Sequence, residues 1–262
     1  MSDNQIYLQK AIEFIREAGD ILLQGMSENY SVEMKGKSDP VTEIDRRCEN
    51  FLKEKIRSAF PDHRILAEES EAVDNISEIK WIIDPIDGTT NYLHRFPYFC
   101  ISIAIELGDD ILAGVVFDPV RDELFHAVHD VEGAFLNGTS IHVSETKLVS
   151  RSLLVTGFPY EQGDTFYKNF ILYKHAYQRS HGVRRTGAAA LDLSYVASGR
   201  SDGYWEFSLK PWDCAAGAFL VTKAGGKVST IGGGKYSPYI PSVLATNGHI
   251  HHEMLDILNK ED

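Results

Sequence analysis

Residues 81–90 read WIIDPIDGTT and bring two carboxylates, Asp84 and Asp87, to the end of an apolar run. Trp81, Ile82 and Ile83 predict a buried strand, Pro85 predicts its end, and the Asp87-Gly88 dipeptide predicts a turn that opens a helix at Thr89. Other acidic residues hold comparable positions. Glu68 and Glu69 follow a strand-like RILAE segment at 64–68, and Asp213 stands in KPWDCAAGAFL, where an apolar helix begins. Singly, each has an ordinary explanation: Asp213 as an N-cap, the glutamates as solvated side chains, Thr89 as a local turn hydroxyl. Jointly they predict one crevice, because strand ends and helix starts converge there and gathered carboxylates repel unless hard cations neutralise them. Asp and Glu without His or Cys partners favour oxygen-liganded Mg²⁺ over Zn²⁺. Two such ions about 3.5–4 Å apart would clamp the attacking and leaving oxygens of a phosphoryl transfer. A helix starting at Thr89 also leaves the N–H groups of Gly88, Thr89 and Thr90 for a phosphate, with Gly88 leaving room for it and the Thr89 hydroxyl placed to orient a water.

These residues depend on elements that the hydrophobic rhythm outlines. Leu8, Ala11, Ile12, Ile15, Ala18 and Leu22 predict an amphipathic helix over 6–23. A second helix begins near Thr42, a good N-cap, and runs before Pro61, with the lysine-bearing MKGKSDP stretch as a loop between the two. From 98 to 136, apolar runs separated by GDD and PVRDE turns predict an antiparallel meander. Beyond about 145, strands and helices alternate: SLLVTG, helix 164–179, HGVRR, helix 188–198, GYWEF, helix 213–224, GKVST, VLAT and helix 249–259. The expected organisation is an N-terminal half, 1–147, and a C-terminal half, 148–262, joined near LVSRS into one compact unit.

Composition narrows the partners. The 262 residues are 43% apolar, enough for one large core or two smaller ones, and carry 26 basic against 38 acidic side chains, a net charge of -12. That balance argues against nucleic acid or an anionic membrane, and an anionic substrate would need cations supplied locally. The N-terminal MSDNQIYLQK lacks the pattern of a secretory leader and no apolar run approaches about 18 residues, so the cytosol is the expected compartment. Cys48, Cys100 and Cys214 are odd in number and widely spaced, which predicts buried free thiols.

Taken in order, several segments resemble the inositol monophosphatase family. WIIDPIDGTTNY at 81–92 is similar to its D-P-I/L-D-G-T signature, and WDCAAGAFLVTKAGG at 212–226 to its W-D-x-A-A-G signature. DPVTEID at 39–45, AEES at 67–70 and TGAAALDLSYVASGRSDGYWE at 186–206 also fit, so the resemblance covers nearly the whole chain. It implies an α/β fold, a five-layered α/β/α/β/α sandwich of the sugar/inositol phosphatase type, and a phosphoric monoester hydrolase using two or three Mg²⁺ ions. Glu68, Asp84 and the carbonyl of Ile86 would bind the first ion, and Asp84, Asp87 and Asp213 the second, with a third near Glu68. Glu68 and Thr89 would activate the attacking water, Asp45 would polarise the Thr89 hydroxyl, and phosphate would rest on Gly88, Thr89 and Thr90. Ala189 and Glu206 would contact the alcohol, with Asp87 beside them, and Asp213 would steer the leaving oxygen. In-line attack without a covalent intermediate, lithium inhibition and a homodimer are implied as well.

The favoured substrate is a small polyol monophosphate, myo-inositol 1-phosphate first. Relatives acting on NADP, fructose 1,6-bisphosphate or 3'-phosphoadenosine 5'-phosphate share the signature, and Arg184, Arg185 or Lys210 would have to receive a second phosphate, though solvation is the ordinary role of such side chains. An aspartyl-phosphate phosphatase is disfavoured, since its D-x-D-G-T motif has one residue between the aspartates and this chain has two. A non-catalytic metal-binding or interaction protein on the same fold would be expected to have lost Glu68 or Thr89, and both are present.

Overall fold

A computed structural model describes residues 2–34, 40–70 and 75–260. Helix α1 (Asp3–Gly25) starts on a capping box, the Ser2 hydroxyl accepting from the Gln5 N–H and the Gln5 side chain from the Ser2 N–H. Residues 35–39 of the expected MKGKSDP loop lie outside the described residues. On either side of them, β1 (Val32–Met34) and β2 (Pro40–Thr42) pair antiparallel. Thr42 is the N-cap of α2 (Glu43–Ala59), as its sequence position predicts. The chain continues through β3 (Arg64–Ala67), β4 (Ile79–Asp87), the one-turn helix α3 (Thr89–Leu93), β5 (Cys100–Leu107), β6 (Asp110–Asp118), β7 (Glu123–Val128), β8 (Ala134–Leu136) and β9 (Thr139–Ile141). After a 3₁₀ turn at Val149–Arg151 come β10 (Leu153–Thr156), α4 (Asp164–Arg179), β11 (Gly182–Arg184), α5 (Ala189–Ala197) and β12 (Gly203–Phe207). The last elements are α6 (Pro211–Lys223), β13 (Lys227–Ser229), β14 (Ser242–Thr246) and α7 (His251–Leu258).

Among the described residues, β3 to β9 form a seven-stranded sheet in sequence order, antiparallel except for the parallel β3–β4 pair. A five-stranded sheet has the order β11-β10-β12-β14-β13, parallel across its first three strands and antiparallel across the rest. Strand periodicity then builds the layers, since alternate side chains point to opposite faces. Trp81, Ile83, Ile101, Ile103 and Val115 pack against Ile15 and Leu22 of α1 and Leu52 and Ile56 of α2. Their neighbours Ile82, Ala104 and Val116 join Leu193 of α5, Ala216 of α6 and the inner residues Val155, Tyr204 and Ala245 of the second sheet. On that sheet's far face, Leu154, Trp205 and Leu244 pack against Leu172 of α4 and Met254 of α7. The result is the α/β/α/β/α sandwich. The middle layer is thin because its side chains are small: a Cβ on Gly114 of β6 would stand 3.2 Å from the Ala216 backbone of α6.

Two local expectations are corrected. Pro85 does not end the strand: β4 runs on to Asp87, with a register shift between Asp84 and Asp87. Asp213 is not the N-cap of its helix. Lys210 caps α6, which begins two residues earlier than expected because Pro211 suits the first helical turn, and Asp213 sits one turn in, its carboxylate accepting the Lys210 N–H at 2.7 Å. The three cysteines are buried and free.

Candidate active site

The bulge in β4 explains how Asp84 and Asp87 come to act together. Residues three apart on a regular strand face opposite ways, but Asp84 pairs with Ser102 and Asp87 with Cys100, a three-residue step against a two-residue one. The extra residue restores both carboxylates to one face. A proline is tolerated there because the bulge takes its missing N–H out of the ladder. That face is the one toward α6, where the Ser102 hydroxyl donates to the Trp212 carbonyl beside Asp213. Glu68 arrives from the neighbouring strand, since the parallel register sets Ala67 opposite Ile83 and brings the next residue beside Asp84. Asp84 and Glu68 share a side-chain hydrogen bond.

Asp84, Asp87 and Asp213 are also tied to backbone. Asp84 accepts the Ile86 N–H at 3.0 Å, an Asx turn that shapes the bulge. Asp87 accepts the Ala189 and Ala190 N–H groups at 3.0 and 2.7 Å, capping α5, whose own N-cap Ala188 has no side-chain oxygen to offer. The carboxylate pKa values record the cost of this gathering. Burial, then the charges of Glu68, Asp87 and Asp213, push Asp84 well above the carboxylate range. Burial and Glu68 push Asp213 in the same direction, and burial raises Asp87 to about 6 against the N–H groups of Ala190 and Ala189. The backbone bonds leave Asp84, Asp87 and Asp213 with acceptor capacity to spare. Hard cations are the partners that such oxygen donors fit, and they would relieve the repulsion. The groups ring the crevice without closing into a finished cage, as among the described residues no three His, Cys, Asp or Glu side chains are drawn together tightly enough to hold an ion.

A second constellation lies beneath the Asp87-Gly88 turn. The Thr89 hydroxyl is 3.0 Å from Asp45 Oδ1 and 3.1 Å from the Ile86 carbonyl. Asp45 is positioned by the α2 capping box, where its Oδ2 accepts both the N–H and the hydroxyl of Thr42. Burial raises the Asp45 pKa against the bonds from Thr42 and Thr89. Gly88 has φ of 97°, the left-handed region, and a Cβ there would stand 3.2 Å from the carbonyl oxygens of Gly187 and Tyr98. A glycine is therefore required at this turn by the backbone packed against it. Thr90 is half-buried in the same single turn.

A cavity of about 270 Å³ is lined by Glu68, Asp87 and Asp213 together with Ala189, Asp192 and Glu206. Asp84 is buried at 1% exposure and Thr89 at 7%, and neither lines it. Arg185 and Lys210 are exposed and contribute to its wall, whereas Arg184 is exposed and does not. Phe158 and Tyr160 close another side. Glu206 accepts the Tyr204 hydroxyl, and burial lifts its pKa to about 7 against that bond and the Arg185 charge. Two residues that matter here were not singled out from sequence. Gly157 admits Glu206, because a Cβ at that position would fall 2.0 Å from Glu206 Oε2; a glycine closing the SLLVTG strand was the available signal. Asp192 is 2% exposed within α5, and a charged residue inside the apolar AALDLSYVA run was its signal.

The sequence matches the Inositol monophosphatase family over residues 3–261. It is 42% identical to an inositol-1-monophosphatase of Synechocystis sp., over 98% of this chain and 90% of the relative. It is 40% identical to the Nus factor SuhB of Haemophilus influenzae, over 95% of this chain and 94% of the relative. The solved structure of an inositol monophosphatase from Anabaena superimposes with a TM-score of 0.87 at 40% identity, covering 98% of this chain and 96% of that one. With near-complete coverage in sequence and fold, the chain belongs to the inositol monophosphatase family.

Proposed function

We propose that the protein is a Mg²⁺-dependent phosphatase that hydrolyses the phosphate monoester of a small polyol, with myo-inositol 1-phosphate as the first candidate. Family membership supports phosphatase activity and metal dependence. The observation that carries the reading is the convergence of Glu68, Asp87 and Asp213 on one cavity, with Asp84 buried behind them and within reach of all three charges. Mg²⁺ held by these side chains and the Ile86 carbonyl would neutralise them, receive the phosphate dianion and lower the pKa of water. The remaining work falls to the chain. Thr89, donating its hydroxyl proton toward Asp45, presents its lone pairs to orient a water, and Glu68 accepts that water's proton. The phosphate rests on the backbone of Gly88, Thr89 and Thr90. Glu206 and Ala189 meet the alcohol, and Asp213 steers the leaving oxygen, whose charge develops only in the transition state.

Substrate choice within the family is argued from the cavity wall. Asp192 and Glu206 place two carboxyl groups on the alcohol side, which suit the hydroxyls of a polyol better than a second phosphate. Lithium inhibition, a homodimer and a cytosolic location enter the proposal on the family resemblance; among the described residues no helix is long and apolar enough to cross a membrane. The test is phosphate release from four esters with Mg²⁺: myo-inositol 1-phosphate, NADP, fructose 1,6-bisphosphate and 3'-phosphoadenosine 5'-phosphate. The highest kcat/KM on the inositol ester is expected, and preference for a bisphosphate would contradict it. The relative named Nus factor SuhB prompts a second reading, a partner-binding role on the same fold. A folded, Mg²⁺-supplied protein that cleaves none of the esters would favour it.

A further inference from the structure

Asp192 is a buried carboxyl group with half of its hydrogen-bonding capacity unused. The Tyr98 hydroxyl donates to its Oδ1 at 2.6 Å and the Thr186 hydroxyl to the same oxygen at 2.5 Å. Oδ2 takes no hydrogen bond among the described residues, although the side chain lines the cavity that holds Glu206. A carboxylate oxygen left bare in a site this enclosed is costly unless a ligand donates to it. Water fills such a need only while the cavity is empty of substrate.

The surroundings hold this oxygen in place. Asn91 Nδ2 donates to the carbonyls of Tyr98 and Thr186 at 2.7 and 2.9 Å, fixing the two residues whose hydroxyls grip Oδ1. Gly187, at φ of 92°, turns the chain from Thr186 into α5. Asp192 and Glu206 lie within electrostatic reach of each other, so the alcohol side of the cavity presents two carboxylates. Neither a phenol ester nor a second phosphate offers what two neighbouring acceptors need. A polyol does, through two of its hydroxyl protons.

We propose that Asp192 is a specificity-determining residue, its Oδ2 accepting a hydrogen bond from a hydroxyl on the substrate's alcohol portion while Glu206 accepts from another. This rests on the polyol-phosphatase reading above and names the second acceptor that selects the polyol. A site built to bind a hydroxyl rejects analogues that lack it, because its own polar group is then left unpaired.

The experiment compares myo-inositol 1-phosphate with p-nitrophenyl phosphate, which has no hydroxyl to donate, in the Mg²⁺-supplied wild type, Asp192→Asn and Tyr98→Phe. Asp192→Asn preserves volume and the oxygen that Tyr98 and Thr186 grip, but puts an NH₂ donor where the bare acceptor was. It is expected to lose at least about tenfold more kcat/KM on the inositol ester than on the phenyl ester, mostly through KM, in line with a hydrogen bond to a charged group. Tyr98→Phe loosens the same carboxyl from behind, and should shift the ratio between the two esters in the same direction but by less. Equal losses on both esters in Asp192→Asn would make Asp192 a structural residue and overturn the proposal alone. A wild type that cleaves the phenyl ester and ignores the inositol ester would instead overturn the polyol reading, and this proposal with it.

Discussion

Asp84 and Asp87 show how a residue's chemistry can be legible while its geometry is not. Their types and their company were visible in WIIDPIDGTT, yet a strand ending at Pro85 would have left Asp84 on the strand and Asp87 in a turn, and only the bulge sets both on the face toward α6. Asp45 and Thr89 stand 44 positions apart, and their contact became visible from sequence only through the family resemblance. Gly157 and Asp192 were missed because their importance lies in contacts with Glu206 and Tyr98, which no local pattern encodes. At this scale the proposed roles are separable. Glu68→Gln keeps size but removes the proton acceptor, so kcat should fall by at least about 10²-fold while ester binding partly survives. Glu206→Gln should change the ranking among alcohols with a smaller loss of kcat. Stopped assays of both variants across two esters check this; near-normal kcat in Glu68→Gln with loss of every ester in Glu206→Gln would reverse the assignments.

The helices and strands were easier to read than their pairing. The α1 and α2 caps, the meander and the alternation beyond 145 follow from periodicity and turn residues, since those signals are local. The mixed order of the five-stranded sheet is not local, and nothing in the spacing of GYWEF and VLAT says that β12 lies between β10 and β14. The join between α5 and α6 in the middle layer is the element contact on which the site depends most, because α5 holds Asp87 through its first N–H groups and α6 carries Asp213. Gly217 makes the join possible: a Cβ there would stand 2.6 Å from Leu193 Cβ and 3.2 Å from the Ala190 carbonyl. Gly217→Ala gains about 1 kcal/mol in helix propensity but overpacks an immobile contact at about 1–3 kcal/mol, so the net change is expected to be destabilising. A chain of this size shifts by roughly 2–4 °C per kcal/mol. Calorimetry should show a lowered Tm, and an unchanged or raised Tm would mean that the helices separate freely.

Across the whole molecule, the two halves meet through a single middle layer, with one cluster of buried residues drawing on both sheets. That continuity favours the proposal that 1–147 and 148–262 act as one catalytic unit. Stability should respond to pH through His251, which is 1% exposed, lies 2.9 Å from the Thr246 hydroxyl and 3.0 Å from that of Ser229, and joins α7 to the five-stranded sheet. Burial first, and the Lys227 charge second, lower its pKa from 6.5 to about 4. The folded state thus resists a proton that the unfolded chain accepts. The His251 contribution is complete above pH 6.5, is lost as pH falls from 6.5 to about 4, and changes no further below that. The Tm difference between wild type and His251→Gln should therefore shrink across this window, and a constant difference would show that His251 does not titrate in it.

The central claim is that the gathered carboxylates serve metal-dependent hydrolysis of a phosphate monoester, and the most direct measurement is inorganic phosphate released from myo-inositol 1-phosphate by metal-stripped protein before and after Mg²⁺ is restored. Burial and their acidic neighbours raise Asp84, Asp87 and Asp213, and a hard cation is the partner that would relieve both. The account predicts no release above background in excess chelator and full recovery at millimolar Mg²⁺. Undiminished release in chelator, or none under either condition, would contradict it.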